Sequence, residues 1–82
     1  MITVATYIED YKIELTFTDG TNKIIDFYPL IACKAMYKPY LKVEKFKKFR
    51  LDVGSLVWPG NRLDYHYTFL YKFQNTIAPT NQ

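Results

Sequence analysis

The most constraining feature of this chain is a stretch near its start in which apolar and polar side chains alternate without a fault. It runs from Tyr11 to Thr18, and Asp19-Gly20 follows it directly. Alternation with a period of two indicates a β-strand with one buried face, and Asp-Gly between two such runs is a strong turn signal. Because residues 23–28 supply a returning strand, we predict a β-hairpin here.

The register of this hairpin follows from the cost of burying a carboxylate. A two-residue loop would place Asp26 opposite Ile13 on the buried face, where an unpaired charge is expensive to desolvate. A three-residue loop with Gly20 in the left-handed bulge position avoids that cost. It pairs Ile13 with Ile25 on the buried face and places Lys12 opposite Asp26 on the outer face. We therefore predict the three-residue loop.

The segments on either side of the hairpin are framed by turn residues and prolines. Residues 2–8 form a further strand, and Glu9-Asp10 connects it tightly to the hairpin. Pro29 has no amide hydrogen to donate, so it ends the ladder and starts a short helical turn over residues 30–33. Pro39 prevents a long helix through residues 34–41.

Two further elements are predicted beyond Pro39. Val43, Phe46 and Phe49 recur at helical spacing, which predicts a short helix with one apolar stripe and outward-pointing lysines. Gly54-Ser55 then fits a type II′ hairpin turn. This turn predicts apolar cross-strand pairs on one shared face, namely Val53 with Leu56 and Leu51 with Trp58.

The end of the chain is ambiguous from sequence. Residues 63–73 fit a strand and a helix about equally well, and we favour a short helical turn, with Asp64 as a candidate N-cap. Residues 75–82 are expected to be a flexible tail. The elements together predict a single domain over residues 1–74 of the α+β class. We expect an antiparallel sheet of about five strands, made of two β-hairpins and an N-terminal strand, with one or two short helices.

Length and composition limit the function classes. A chain of 82 residues buries only about 60 to 65% of its unfolded surface, so the core is expected to be small. Cys33 is the only cysteine, which excludes an internal disulfide framework. Neither a leader-like start nor an apolar run of about 18 residues is visible. We therefore expect a cytoplasmic protein that does not enter a membrane.

The charge of the chain is unevenly distributed. Residues 34–50 hold seven of the eleven basic residues against a single acid, Glu44, which gives this segment a net charge of +6. The remainder has four bases and seven acids, a net charge of −3. Such a basic segment attracts an acidic protein surface or a phosphate backbone, although a solvated face that resists aggregation has the same composition.

Several short motifs occur in a characteristic order over residues 4–71. They are Asp10-Tyr11, Ile13, Phe17 and Asp19-Gly20, then Asp26 to Leu30, then Phe49, Val53, Leu56 and Trp58-Pro59, and finally Asp64 and Leu70-Tyr71. In order and spacing the chain resembles the bacterial family known as domain of unknown function 2442. The resemblance implies a small α+β domain, encoded beside another small uncharacterised protein and proposed as one half of a toxin–antitoxin-like pair. It marks Asp19, Gly20, Asp26, Trp58, Pro59, Asp64, Leu70 and Tyr71 as family-motif positions.

Reactive groups are scarce, so we predict that the protein is not an enzyme. His66 is the only histidine and Cys33 the only cysteine, and no third group is evident that would orient them as a catalytic dyad. We interpret Cys33 as a small buried hydrophobe and His66 as a surface or capping residue. A structural zinc site wants about four Cys or His ligands, and no phosphate-binding glycine loop is present. We expect no metal, no cofactor and no catalytic residues.

Two interpretations of the basic segment remain. The favoured one is a protein-interaction module, antitoxin-like within such a pair, that binds a small acidic cognate protein from a neighbouring gene. The alternative is RNA or single-stranded nucleic-acid binding, because lysines beside stackable rings are typical of such proteins. The sequence is also compatible with a homo-oligomer. Under both interpretations the candidate contact residues are Lys34, Lys38, Lys42, Lys45, Lys47, Lys48, Arg50, Tyr37 and Tyr40.

Overall fold

Six strands form two three-stranded antiparallel sheets in the computed structural model, which describes residues 1–60 and 63–73. The first sheet contains β1 (Ile2–Glu9), β2 (Lys12–Phe17) and β3 (Asn22–Asp26), and the second contains β4 (Arg50–Asp52), β5 (Ser55–Val57) and β6 (Asp64–His66). The helices are α1 (Tyr28–Ala32), a 3₁₀ helix (Ala35–Leu41), α2 (Val43–Phe46) and α3 (Tyr67–Lys72). The α+β class is confirmed, but the single five-stranded sheet is wrong. The predicted tail, residues 75–82, lies outside the described residues.

The first hairpin has the predicted register. Lys12 lies opposite Asp26 and Ile13 lies opposite Ile25. Gly20 adopts a φ of +90°, in the region that favours glycine, and its amide donates to the Phe17 carbonyl at 2.9 Å. The bulged loop is thus confirmed, and it keeps the Asp26 carboxylate away from the buried face, as the desolvation argument requires.

The preceding strand is also confirmed, with β1 pairing along β2 through two register shifts. Asp10, with a φ of +48°, makes the tight connection between them.

The second hairpin is present, but its turn lies one residue earlier than predicted, so its predicted register is wrong. Leu51 lies opposite Leu56 and Asp52 opposite Ser55, so the two loop residues are Val53 and Gly54. Val53 is therefore outside the ladder and 90% exposed instead of buried. The physical reason lies in β6, which pairs with β5 and continues to a hydrogen bond from the Tyr67 amide to the Gly54 carbonyl. That bond holds Gly54 in the second loop position, with a φ of +71°.

The ambiguous end of the chain contains both predicted structures in succession. Asp64–His66 is the edge strand β6, and α3 starts immediately after it. Asp64 is not the N-cap, because it pairs with Val57 in the sheet. The cap is His66, whose Nδ1 accepts a hydrogen bond from the Thr68 amide at 3.3 Å. The predicted capping role of His66 is therefore confirmed.

Three short helices connect the two sheets. Pro29 lies in the first turn of α1, as predicted. Pro39 lies inside the 3₁₀ helix; no α-helix runs through residues 34–41, as predicted, although a continuous 3₁₀ helix does. Of the predicted apolar stripe, Phe46 is fully buried, while Val43 and Phe49 are partly buried.

An aromatic cluster forms the centre of the core. Trp58, Phe27 and Phe46 are fully buried, and the Trp58 Nε1 donates to the Phe46 carbonyl at 2.7 Å. The Phe46 ring centroid lies 5.4 to 6.5 Å from those of five other rings, Tyr7, Tyr11, Phe27, Phe49 and Trp58. A ring from β1 and rings next to β2, β3, β4 and β5 thus meet at Phe46, which belongs to the basic segment.

Candidate interaction surface

Residues 34–50 form one strongly basic face, which we call the basic face. It consists of the 3₁₀ helix, α2 and the start of β4. All seven predicted basic contact residues are exposed, namely Lys34, Lys38, Lys42, Lys45, Lys47, Lys48 and Arg50. The predicted rings differ, because Tyr37 is half-buried and Tyr40 is only 6% exposed. The structure exposes all of the predicted charges and withdraws one of the two rings from the surface.

Bonds to the chain beneath hold the basic face in place. The Tyr40 hydroxyl donates to the Pro59 carbonyl at 2.8 Å, and the Tyr11 hydroxyl donates to the Leu41 carbonyl. With Phe46 buried below α2, these contacts fix the inner side of the segment. The lysines are left exposed because the anchoring contacts use rings, ring hydroxyls and backbone carbonyls and no lysine side chain.

Three adjoining cavities run across the basic face. The first, about 300 Å³, lies between Ile31, Leu41 and Lys38. The second, about 410 Å³, is lined by Lys38, Pro39, Lys42 and Lys45, and the third, about 240 Å³, by Tyr40, Lys45, Lys48 and Pro59. Lys38 borders the first two cavities and Lys45 the last two. The cavities therefore adjoin one another, and together we call them the groove, with its lysines named as walls and its apolar residues as floor.

The charges of the basic face are not neutralised by neighbours. Lys12 forms ion pairs with Glu9 at 3.5 Å and Asp10 at 3.9 Å, whereas the basic residues of the basic face form none within residues 1–60 and 63–73. Two lysines of the basic face lie over rings instead, Lys34 at 5.9 Å from the Tyr37 centroid and Lys47 at 5.5 Å from the Tyr7 centroid. Seven positive charges against the single acid Glu44 create a positive potential that attracts an anionic partner.

A second polar cluster joins the first hairpin turn to α3. The Tyr71 hydroxyl donates to Asp19 Oδ2 at 2.6 Å, and Asp19 Oδ1 accepts from the Thr21 amide at 2.9 Å. The Tyr71 ring also packs edge-on against Phe17, with centroids 5.0 Å apart. We call this arrangement the Asp19–Tyr71 clamp, and it connects residues 52 positions apart in the chain.

Lys23 is a residue that the sequence analysis missed. Its Nζ donates to the carbonyls of Leu70, Tyr71 and Phe73 at 2.8 to 3.1 Å, so it binds carbonyls at the end of α3 that lack α-helical partners. Burial lowers the pKa of the Lys23 ammonium, a cost that the three carbonyl oxygens offset. A signal was present, because Lys23 lies opposite buried Leu15, and a charge on the buried face needs partners.

The family model described as Protein of unknown function (DUF2442) matches residues 2–75. The chain belongs to this family. No curated protein matches the chain, and no solved structure matches it either. The family match agrees with the resemblance seen in the motifs, and the structure shows what the motif residues contact in this member.

Most motif positions of this DUF2442 protein have structural partners. Asp19 and Tyr71 form the clamp, and Gly20 supplies the positive φ of its turn. Trp58 and Leu70 are fully buried. The remaining three are Asp26, whose Oδ1 accepts from the Tyr28 amide at 3.0 Å, Pro59, whose carbonyl accepts from Tyr40, and Asp64, which pairs in β6. These contacts assign the motif to holding the fold together, whereas the basic face lies largely outside it.

The clamp predicts a specific acid sensitivity. The hydrogen bond from Tyr71, followed by that from Thr21, lowers the pKa of Asp19 from 3.8 to about 2. The folded state therefore holds the carboxylate more strongly than the unfolded state does, and this stabilisation is complete above the ordinary pKa. It is lost as the pH falls from about 4 to about 2. In urea titrations across that window, Tyr71→Phe should show a smaller acid-induced loss of unfolding free energy than wild type; parallel curves would contradict the clamp.

The two candidate reactive side chains are engaged in local structure. Cys33 is exposed, so its interpretation as a buried hydrophobe is wrong; it follows α1 at the surface, and its Sγ donates to the Leu30 carbonyl at 3.2 Å. His66 caps α3, and its ring lies against Tyr67 with centroids 4.6 Å apart. Across residues 1–60 and 63–73, no three His, Cys, Asp or Glu side chains come together as a metal site would require.

Burial raises the pKa of Tyr65, with Tyr37 and Cys33 as lesser causes.

Among the described helices, none combines the length and apolar character needed to cross a bilayer.

Proposed function

We propose that this protein is a non-catalytic interaction module of the cytoplasm that binds a small acidic protein through the basic face. In this proposal it is the antitoxin-like component of a toxin–antitoxin-type pair, and its partner is the product of a neighbouring gene. One observation supports the proposal above all others. Seven exposed basic side chains, without acidic partners in the described part of the chain, are held on a rigid base of buried rings.

Charge complementarity gives this surface its physical role. An acidic partner is steered towards a concentrated positive field, and the attraction raises the association rate and fixes the orientation. The rigid base reduces the entropy lost on binding, because the helices that carry the lysines are already ordered. Pairing members of a two-protein system needs both properties.

Burial of aromatic rings in the basic segment argues against the nucleic-acid alternative. Single-stranded binders stack bases on exposed aromatic faces, but of the four rings in the segment Tyr40 and Phe46 are buried, and Tyr37 and Phe49 are half-buried. The lysines could still attract phosphates. Electrophoretic mobility with mixed RNA and DNA at two salt concentrations separates the classes, because phosphate-driven binding weakens steeply as salt rises. We expect no retarded complex at physiological salt.

Charge reversal on α2 and the residues after it should abolish partner binding. A variant with Lys45, Lys47 and Lys48 changed to Glu is expected to bind the neighbouring gene product at least about a hundredfold more weakly, because each reversal replaces an attraction with a repulsion. Pull-down and titration calorimetry with the purified partner measure this loss.

The matched control changes the same three lysines to Arg, which keeps the charge and should keep the affinity. Circular dichroism checks that both variants fold, as expected for exposed positions. Unchanged binding by the charge-reversed variant would remove the basic face as the contact.

A further inference from the structure

The groove on the basic face suggests a particular form of partner. Its three cavities adjoin through shared lysines, Lys38 between the first and second and Lys45 between the second and third. Each cavity, at about 240 to 410 Å³, has room for individual side chains and not for a folded domain. Adjoining cavities of this size can each accept a side chain of a peptide that binds in an extended conformation.

The chemistry of the groove differs between its walls and its floor. Lysines form the walls, with Lys38, Lys42 and Lys45 around the central cavity. Apolar groups form the floor, from Ile31 and Leu41 at one end to Pro59 at the other. A ligand that fits must therefore present both negative charge and apolar groups at short intervals.

We infer that the groove binds an extended acidic peptide segment of the partner, in which acidic and apolar residues alternate. This inference rests on the proposed function and makes its partner more specific. In an extended chain, successive side chains point to opposite sides. Alternation therefore lets leucine-sized side chains enter the cavities, while the carboxylates between them lie outside the cavities, where only the long side chains of the exposed lysines reach them.

A peptide fits the groove better than a nucleic acid does. The Tyr40 ring at its floor is almost fully buried and its hydroxyl is bonded to the Pro59 carbonyl, so no open aromatic face is available for a base. The walls contain lysine, which offers charge without the planar, two-pronged pairing of arginine. Carboxylates spaced along a peptide need only such point charges.

Two single substitutions with the same charge change test this inference. Lys45 borders two of the cavities, whereas Lys47, two residues away, lies over the Tyr7 ring and borders none of the three. The probe is a dye-labelled peptide in which Glu and Leu alternate, and the control peptide has Gln in place of Glu. Fluorescence anisotropy measures binding to the full chain.

The expected result is that wild type binds the Glu–Leu peptide and not the Gln–Leu peptide. Lys45→Glu should weaken binding about tenfold or more, and Lys47→Glu less than about threefold. Equal losses of peptide affinity in the two variants would overturn the inference that the groove is the binding site. They would indicate a diffuse charge effect, while the proposed function would stand. Failure of the peptide to bind a chain that still binds the neighbouring gene product would also overturn it.

A nucleic-acid outcome is separated by competition. If a single-stranded oligonucleotide displaces the peptide and shows the same Lys45 dependence with higher affinity, the groove is a nucleic-acid site and the peptide inference is overturned. Failure of the oligonucleotide to compete at physiological salt supports the peptide. The proposed function is contradicted by a different result: the neighbouring gene product still binds after Lys45, Lys47 and Lys48 are all changed to Glu.

Discussion

Trp58→Ala is expected to destabilise the protein by about 3 to 5 kcal/mol, most of what a domain of this size has available. The indole is fully buried and lies 5.7 to 6.0 Å, centroid to centroid, from Phe46, Phe27, Phe49 and Tyr65. Its removal leaves a cavity bordered by those rings and also leaves the buried Phe46 carbonyl without its donor. Urea denaturation followed by far-ultraviolet circular dichroism measures the change, since the variant has no tryptophan fluorescence.

Trp58→Phe separates packing from hydrogen bonding. A phenyl ring keeps much of the contact area but cannot donate to the Phe46 carbonyl, so we expect a smaller loss of about 1 to 3 kcal/mol. A Trp58→Ala protein that unfolds at nearly the wild-type urea concentration would show that the indole is not the centre of this core.

Phe46→Ala is expected to lower the free energy of unfolding by a similar amount, about 3 to 5 kcal/mol. It should disturb the basic face as well. Phe46 is the buried residue of α2, and its ring packs against Tyr7 of β1, Tyr11 before β2 and Phe27 after β3. Without the ring, α2 keeps the hydrogen bond from Trp58 to the Phe46 carbonyl but loses the packing that positions Lys45 and the lysines after it. The measurement is urea denaturation, with partner binding assayed under conditions in which the variant is still folded.

Phe49→Ala is the matched control for Phe46→Ala. It removes the same side chain three residues later, but Phe49 is only partly buried, so the loss should be roughly half as large. If the two substitutions lower the free energy of unfolding equally, the difference in burial between these rings does not determine the stability of the segment.

Local pattern and chemistry were sufficient to predict the first sheet. The alternation from Tyr11, the Asp19-Gly20 turn and the cost of burying Asp26 act within a few residues of one another, and together they specify a single register. The second hairpin was mispredicted because its turn depends on a third strand. A hydrogen bond from the Tyr67 amide holds Gly54 in place, and no feature within residues 50–58 reveals it.

The candidate site was predictable in charge but not in shape. Seven basic residues with one acid among them had to be largely exposed, because unpaired lysines are not buried. The groove could not be foreseen, since its floor combines α1, the 3₁₀ helix and Pro59. The Asp19–Tyr71 clamp joins residues 52 apart, a contact that sequence spacing does not encode.

The most direct test of this account is an amide chemical-shift map of the isotope-labelled chain titrated with the product of the neighbouring gene. The account predicts that the largest shifts fall between residues 34 and 50, with the lysines around the groove most affected. Largest shifts on the first sheet or on α3, with residues 34–50 unperturbed, would contradict it.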